Sequence, residues 1–344
     1  MNNVLKQDIE EFVNTFELSN DLTNAVFLIT GATGLIGSTL IHCLLAIGQN
    51  TQIIAPIRNK DKAYLIFQKE TAKIKLIECD LLTFDYDSVG SVDYVIHCAA
   101  PTSSKFFVEY PVETFNTIYQ GTDILLRYAQ RHKVKSFVYL SSLEVYGSIH
   151  DDSLSITENV QGYIDPTNIR SSYPMAKRAT ENLCCLYASE YNIPVKIARL
   201  TQTTGAGISK NDSRVIAQFA RLAAKGKNIV LHTTGESARS YCYTTDAISA
   251  ILYILVRGEA GMAYNVANEN TYISVRSMAE FLKTNINPKI SINIEQQDNM
   301  GYAPMTKLRL DTEKLMALGW RPKYDLKDIF EKLVKYLLED ENKQ

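Results

Sequence analysis

Tyr173 stands four residues ahead of Lys177 in the stretch Ser171-Ser172-Tyr173-Pro174-Met175-Ala176-Lys177-Arg178. On a helix that spacing puts the phenol and the ammonium on one face. Pro174 suits a first helical turn, and Ser171 or Ser172 stands where a capping side chain belongs. A free phenol titrates at about pH 10 and is a poor base at neutrality. A neighbouring ammonium and a cationic nicotinamide both favour phenolate and bring it toward the working range. Such a phenol can pass a proton to or from an oxygen while hydride moves at the carbon that bears it. A third group has to hydrogen-bond that oxygen. Ser142, at the end of the run KSFVYLSS (135–142), is placed for the task. In a chain with 20 Tyr, about one Tyr-Lys pair at this spacing arises by chance, so the pair needs support from elsewhere.

Support comes from Gly31-Ala32-Thr33-Gly34-Leu35-Ile36-Gly37, which follows the apolar run AVFLIT (25–30) and opens a helical pattern. One glycine permits a tight turn, one lets a phosphate approach the backbone, and one lets helix and strand pack closely. The helix start offers free N–H groups and partial positive charge to a pyrophosphate. Gly31, Thr33, Gly34, Leu35, Ile36 and Gly37 are therefore expected to hold a dinucleotide. An acid at the end of the second strand favours NAD by bonding the ribose 2′-hydroxyl. The chain reads Ile54-Ala55-Pro56-Ile57-Arg58-Asn59-Lys60 there, so Arg58 and Lys60 point to the 2′-phosphate of NADP(H) rather than to NAD. Asp80, just past the third strand, is a candidate for the adenine amino group.

These groups need a scaffold. Apolar runs at 25–30, 51–57, 73–79, 92–100, 135–142 and 194–200 read as strands, and helical patterns occupy 35–48, 113–132 and 174–191. Buried strands separated by helices predict a parallel sheet covered on both faces, an α/β doubly wound (Rossmann) fold. Residues 4–17 read as an amphipathic helix ahead of it. Past about residue 201 the texture shifts to polar loops and shorter strands, such as NIVLH (228–232) and AYNVAN (263–268). The expected organisation is a helical extension at 1–24, a dinucleotide-binding domain at 25–200, and a smaller, mainly substrate-binding lobe at 201–344. Some elements of that lobe are expected to return to the first domain.

The 344 residues are 46% hydrophobic and 22% charged with a net charge of −2, an ordinary globular balance. No basic stripe invites nucleic acid, and no apolar run reaches membrane length. The polar start MNNVLKQDIEEFVNTF does not read as a signal peptide, so a cytoplasmic protein is expected. Six Cys without a CxxC pair read as reduced thiols, and five scattered His give no metal-ligand spacing.

The chain resembles the extended short-chain dehydrogenases/reductases that act on nucleotide sugars, from about residue 25 to 335. The likeness rests on GATGLIG (31–37), CDLL (79–82), HCAA (97–100), SSLEVYG (141–147), YPMAK (173–177), GESARSYCYTTD (235–246), YNVAN (264–268) and LDTEKLMALGWRP (310–322). The resemblance implies that Ser142, Tyr173 and Lys177 are catalytic. It implies that Gly31, Gly34 and Gly37 hold the cofactor, with Ala99 of the HCAA segment beside it. It also implies that Arg239 and Arg214 grip the diphosphate of a nucleotide-sugar substrate, with Gln202 within reach, and that the chain forms a homodimer.

Within such a family the reaction depends on the groups beside the redox carbon. The 4,6-dehydratases usually carry Asp-Glu before VYG, and here those positions are Leu143 and Glu144. Leucine cannot protonate a leaving hydroxyl. Uronate decarboxylases usually have a Ser before the Glu and an Arg just ahead of the segment that reads MTKLRLD (305–311) here, where this chain has Ala303, Pro304 and Met305. Glu144 is left as a C5 base, a substrate ligand or a structural acid. Ile118 stands where the family has an Asn, and the usual N-x-(Y/F)-G-P reads Gln202-Thr203-Thr204-Gly205-Ala206. The surviving set implies NADPH-dependent reduction of the C4 ketone of a nucleotide-activated 4-keto-6-deoxy sugar, for surface polysaccharide synthesis. The alternatives are an NAD-retaining epimerase, uronate decarboxylase or 4,6-dehydratase. A non-catalytic NADP-binding sensor is a further alternative, and the intact Tyr173-Lys177 pair argues against it.

Overall fold

The computed structural model describes residues 1–47, 50–68, 71–153, 155–295 and 305–341. The first part of the chain runs α1 (Asn3–Thr15), β1 (Val26–Thr30), α2 (Leu35–Ile47), β2 (Gln52–Ile57), α3 (Lys60–Phe67), β3 (Ile74–Glu78), β4 (Tyr94–His97), α4 (Ser104–Glu109), α5 (Pro111–His132), β5 (Ser136–Ser142), α6 (Ser172–Tyr191) and β6 (Val195–Leu200). The second part runs β7 (Gln202–Thr204), α7 (Val215–Ala224), β8 (Ile229–Leu231), β9 (Ala238–Tyr243), α8 (Thr244–Arg257), β10 (Ala263–Val266), β11 (Asn268–Ser274), α9 (Val275–Asn285), β12 (Ile292–Ile294), β13 (Lys307–Leu308), α10 (Glu313–Met316) and α11 (Leu326–Glu341).

Seven parallel strands form the main sheet in the order β10-β6-β5-β4-β1-β2-β3. This is a Rossmann fold. Chain order reverses between β1 and β4, and the crevice at the carboxyl ends of these two strands is where such sheets receive ligands. The apolar runs explain the layers. Along β1 the side chains alternate: Phe27 and Ile29 enter a cluster with Leu40 and Leu44 of α2 and Ile251 of α8, while Leu28 enters the opposite cluster with Leu125 of α5 and Cys184 of α6. Each such aliphatic side chain contributes about 1.5–3 kcal/mol by leaving water.

AYNVAN, grouped by texture with the second lobe, supplies β10 at the edge of the first sheet instead. Residues Ala263 to Val266 pair with Ile197 to Leu200, and the Gly261 N–H donates to the Val195 carbonyl at 2.7 Å as the register begins. In the second lobe β9 is the central strand. It pairs antiparallel with β11 on one side and parallel with β7 and β13, while β8 and β12 form a separate two-stranded ribbon. Helices α7, α9 and α11 cover this lobe through Phe219, Leu282 and Phe330. Helix α1, capped by Asn2 at the Val4 N–H (2.8 Å), packs on α2, α8 and α11. Among the described residues no helix is long and apolar enough to cross a membrane.

Candidate active site

The loop between β1 and α2 is built by close backbone approach. Gly31 has φ +68°, and a Cβ there would meet the Ala99 nitrogen and the Cys98 carbonyl carbon at 2.8 Å. A Cβ on Gly37 would lie 2.3 Å from the Gly31 oxygen, so α2 can start against the ends of β1 and β4 only with glycine at that position. Thr30 fastens the two strands: its hydroxyl meets His97 Nδ1 at 2.6 Å and accepts the Ala99 N–H at 3.3 Å. Burial, helped by Lys177, lowers His97 to about 3, so the ring is neutral. No backbone carbonyl among the described residues receives the Leu35 and Ile36 N–H groups at the start of α2. Those donors, with Thr33 and Gly34 beside them, form a cradle that suits an anion.

At the end of β2, Arg58 and Lys60 are both exposed. Asn59 between them caps α3 at the Lys62 N–H (2.7 Å), and the Lys60 ammonium lies 5.6 Å from the Tyr64 ring centroid. Glu78, at the end of neighbouring β3, accepts the Lys60 N–H at 3.2 Å, an acid at this rim that the sequence reading passed over. Asp80 turns back to its own loop and accepts the Leu82 N–H at 2.8 Å.

Strand β5 and helix α6 bring Ser142, Tyr173 and Lys177 together. Tyr173 is buried beside Ser142, which pulls its phenol down, and the Ser142 hydroxyl accepts the Glu144 N–H at 3.2 Å. The Lys177 ammonium, 3% exposed, donates to the Leu140 carbonyl at 2.6 Å and sits 5.7 Å from the Tyr173 ring centroid. Two expectations need correction. Neither serine caps α6 with its side chain: Ser171 makes no capping bond, and the Ser172 hydroxyl donates to the Phe107 carbonyl at 2.9 Å. Nor does Lys177 bring the phenol down. Burial and then the Glu144 carboxylate raise Tyr173 above the ordinary tyrosine range, against the pull of Ser142 and Arg170. Lys177 is itself lowered to about 7, chiefly by burial, and so is a weakened cation at neutrality. Ser141, next to Ser142, serves the scaffold. It donates to Glu181 at 2.5 Å, and Glu181 pairs with buried Arg199 at 2.7 Å.

Glu144 lies beside Tyr173 in a fork that local sequence does not disclose. Arg170 Nη1 and Nη2 donate to its two carboxylate oxygens at 3.1 and 3.2 Å. The same guanidinium lies 4.9 Å from the Phe107 ring centroid, and Phe107 of α4 stacks on Tyr173 at 4.2 Å with an interplanar angle of 11°. Leu143 is buried in an apolar cluster with Val145, Tyr146 and Ile156. Ile118 is likewise a core residue.

The residues expected to meet substrate phosphate lie in the second lobe. Gln202, on β7, has its Oε1 buried with no hydrogen-bond partner among the described residues. Arg214 is engaged: Asp212 takes its Nε at 3.0 Å and Nη2 at 2.6 Å, and the Thr203 carbonyl takes Nη1 at 2.5 Å. Arg239, on β9, is half-buried. Burial raises Tyr241 to about 12, against the pull of the Arg239 and Arg214 charges. Of the segment bearing on a uronate anchor, Ala303 and Pro304 lie outside the described residues and Met305 is exposed. Among the described residues there is no group of three or more His, Cys, Asp or Glu able to hold a metal ion.

A family model described as "NAD dependent epimerase/dehydratase family" matches residues 27–267, which include the glycine loop, Ser142, Tyr173, Lys177 and Arg239. The chain belongs to that family. It is 30% identical over 312 residues to UDP-glucuronic acid decarboxylase 5 of Arabidopsis thaliana, covering 89% of this chain and 87% of the relative. It is also 30% identical over 330 residues to dTDP-D-glucose 4,6-dehydratase of Bos taurus, covering 91% of this chain and 88% of the relative. Its fold is similar to that of UDP-glucose 4-epimerase of Thermotoga maritima, solved with UDP-glucose, with a TM-score of 0.78 at 21% identity over 93% of this chain and 100% of that one. A member of the NAD dependent epimerase/dehydratase family takes a nicotinamide dinucleotide, and the glycine cradle with its open N–H groups at Leu35 and Ile36 fits one. Helix α1 lies outside the matched interval.

Proposed function

We propose that this chain reduces the C4 ketone of a nucleotide-activated 4-keto-6-deoxy sugar with NADPH. The observation that carries the reading is the closed fork between Arg170 and Glu144. Both carboxylate oxygens are occupied by hydrogen bonds from a guanidinium, so neither is free to approach a substrate C–H. With Leu143 in the apolar cluster, no acid stands where a dehydratase needs one. Tyr173 is then the group placed to move a proton. Bound nicotinamide supplies the hydride to C4. Tyr173 gives its proton to the ketone oxygen, Ser142 holds that oxygen by a hydrogen bond, and Lys177 stands one helical turn on with its ammonium held by the Leu140 carbonyl. The ketone gains one hydride and one proton and becomes a secondary alcohol.

The cofactor rests on the 31–37 loop and Ala99, with Asp80 toward the adenine. Arg58 and Lys60 take the 2′-phosphate, which favours NADP(H). Residues 25–200 hold the dinucleotide, and 201–344 mainly hold the nucleotide sugar through Gln202, Arg239 and an Arg214 shared with Asp212. The protein works in the cytoplasm, as a homodimer formed on the outer faces of α5 and α6, where Leu186, Tyr191 and Val112 are exposed. A second reading, favoured by the curated relatives, is an NAD-retaining decarboxylase of a nucleotide-activated uronic acid. There Arg170 offers a cation for the substrate carboxylate.

Tyr173→Phe tests the proton assignment. It keeps the stack on Phe107 and removes the donor, so turnover falls by more than about a hundredfold with NADPH binding intact. Activity within a few-fold of wild type contradicts the reading. The nucleotide released on denaturing the purified protein separates the two readings: tightly retained NAD⁺ favours the decarboxylase, and a site that is filled only by added NADPH favours the reductase.

A further inference from the structure

Arg170, Glu144, Phe107 and Tyr173 come from three separate segments and close into one contact chain. We infer that Arg170 is a positioning residue for the proton-transferring phenol: its fork fixes Glu144, and its guanidinium holds Phe107 flat against the Tyr173 ring. The inference rests on the reading of Tyr173 as the proton donor. The fork is bidentate at 3.1 and 3.2 Å, the cation lies 4.9 Å from the Phe107 centroid, and the two rings stack at 4.2 Å. Asn168 fixes the approach of Arg170 by accepting its backbone N–H at 2.9 Å. The Ser172 hydroxyl pins the Phe107 carbonyl at 2.9 Å, so α4 is fastened to the start of α6 on both sides of the stack. A planar guanidinium can bind a carboxylate edge-on and an aromatic ring face-on at once, which a lysine ammonium cannot do.

The arrangement has an electrical consequence. Two opposite charges face one phenol: Glu144 pushes its proton affinity up and Arg170 pushes it down. The other groups near the ring are Lys177 on the same helix, Ser142 and Tyr139 from β5. On α4, Lys105 and Glu109 pair with each other at the surface at 3.5 Å. With the fork closed Arg170 offsets part of the Glu144 effect at Tyr173. Removing either alone leaves the other unopposed, so the two single substitutions move the phenol in opposite directions. A side chain that merely supports the fold gives no such pair of signs.

The test is carbon-13 labelling at tyrosine Cζ, with the Tyr173 resonance assigned by its loss in Tyr173→Phe and titrated with saturating NADP⁺. Relative to wild type, Glu144→Gln lowers the midpoint by on the order of half a pH unit, and Arg170→Met raises it by a smaller amount. Where a midpoint lies above the alkaline limit, the fraction ionised at that limit is compared. The double substitution falls between the two single variants, below wild type, because the Glu144 effect is the larger. Single variants that move the same way, or not at all, overturn the proposal. Should Arg170→Met not fold, Glu144→Gln alone decides: an unmoved or raised midpoint overturns it. Collapse of turnover in Tyr173→Phe with unmoved midpoints sinks only this inference, whereas turnover that survives Tyr173→Phe sinks the underlying reading.

Discussion

The Tyr243 hydroxyl donates to Asp8 Oδ2 at 2.6 Å, joining the central strand of the second sheet to the helix that precedes the first. Asp8 is 1% exposed and also accepts the Lys332 ammonium at 2.9 Å. One turn on, Glu11 accepts the Tyr324 hydroxyl at 2.7 Å and Lys332 at 3.3 Å. The Tyr243 oxygen in turn receives the Ala206 N–H at 3.4 Å, in the loop that follows Gln202. Helix α1 is thus tied by buried polar bonds to the lobe expected to hold substrate.

Asp8→Ala leaves a buried hydroxyl without its acceptor and a partly buried ammonium with Glu11 alone, a loss of about 2–4 kcal/mol. Urea unfolding measures it. Glu10→Ala, on the exposed face with only a surface pair to Lys6, changes stability by less than about 0.5 kcal/mol. Equal losses in the two variants contradict a structural role for the Asp8 bonds.

Arg58→Ala or Lys60→Ala weakens NADPH by on the order of tenfold more than NADH, because only NADPH offers a 2′-phosphate to a cation. Cofactor titrations by nucleotide fluorescence give both affinities. Equal losses for the two cofactors, or a wild type that prefers NADH, contradict the NADP assignment. Glu78, beside the Lys60 backbone, is the group that would favour the latter result.

Folding lowers Lys177 from the ordinary lysine value to about 7, chiefly by burial. Between pH 7 and about 10 the unfolded chain keeps a proton that the folded chain has released. Stability from this residue therefore rises with pH through that window and is lost as pH falls toward 7. The urea stability of wild type minus that of Lys177→Met should increase from pH 7 to 9, by at most about 1.4 kcal/mol per pH unit. A difference that stays flat with pH contradicts the burial effect.

The parts of this molecule readable from sequence are those with local causes. Strand β1, the glycine turn and α2 follow one another without interruption, and Gly37 meets Gly31 within the same loop. Tyr173 and Lys177 share a helix, and Ser142 ends a strand whose apolar run is unmistakable. The rest depends on pairing at a distance. The run AYNV carries no mark that it will lie beside β6 rather than in the second lobe. Arg170 reaches Glu144 only because the intervening chain folds back, through the Ser148–Tyr163 bridge and the Arg178 bonds to the Val145 and Gly162 carbonyls. Phe107 joins the site from α4, a short helix with no motif of its own. The Lys177 expectation failed for another reason: spacing reports which groups share a face, whereas burial decides how strongly each is charged.

The most direct test of the proposed reaction is a nucleotide-activated 4-keto-6-deoxy sugar with NADPH in deuterated water, followed at the nicotinamide absorbance band and by mass spectrometry and NMR of the product. The account predicts that NADPH is consumed mole for mole with the reduced sugar, that no deuterium enters C5, and that Glu144→Gln reduces the rate only modestly. Conversion of UDP-glucuronic acid or another unoxidised nucleotide sugar with no added cofactor, with a severe loss in Glu144→Gln, would contradict it.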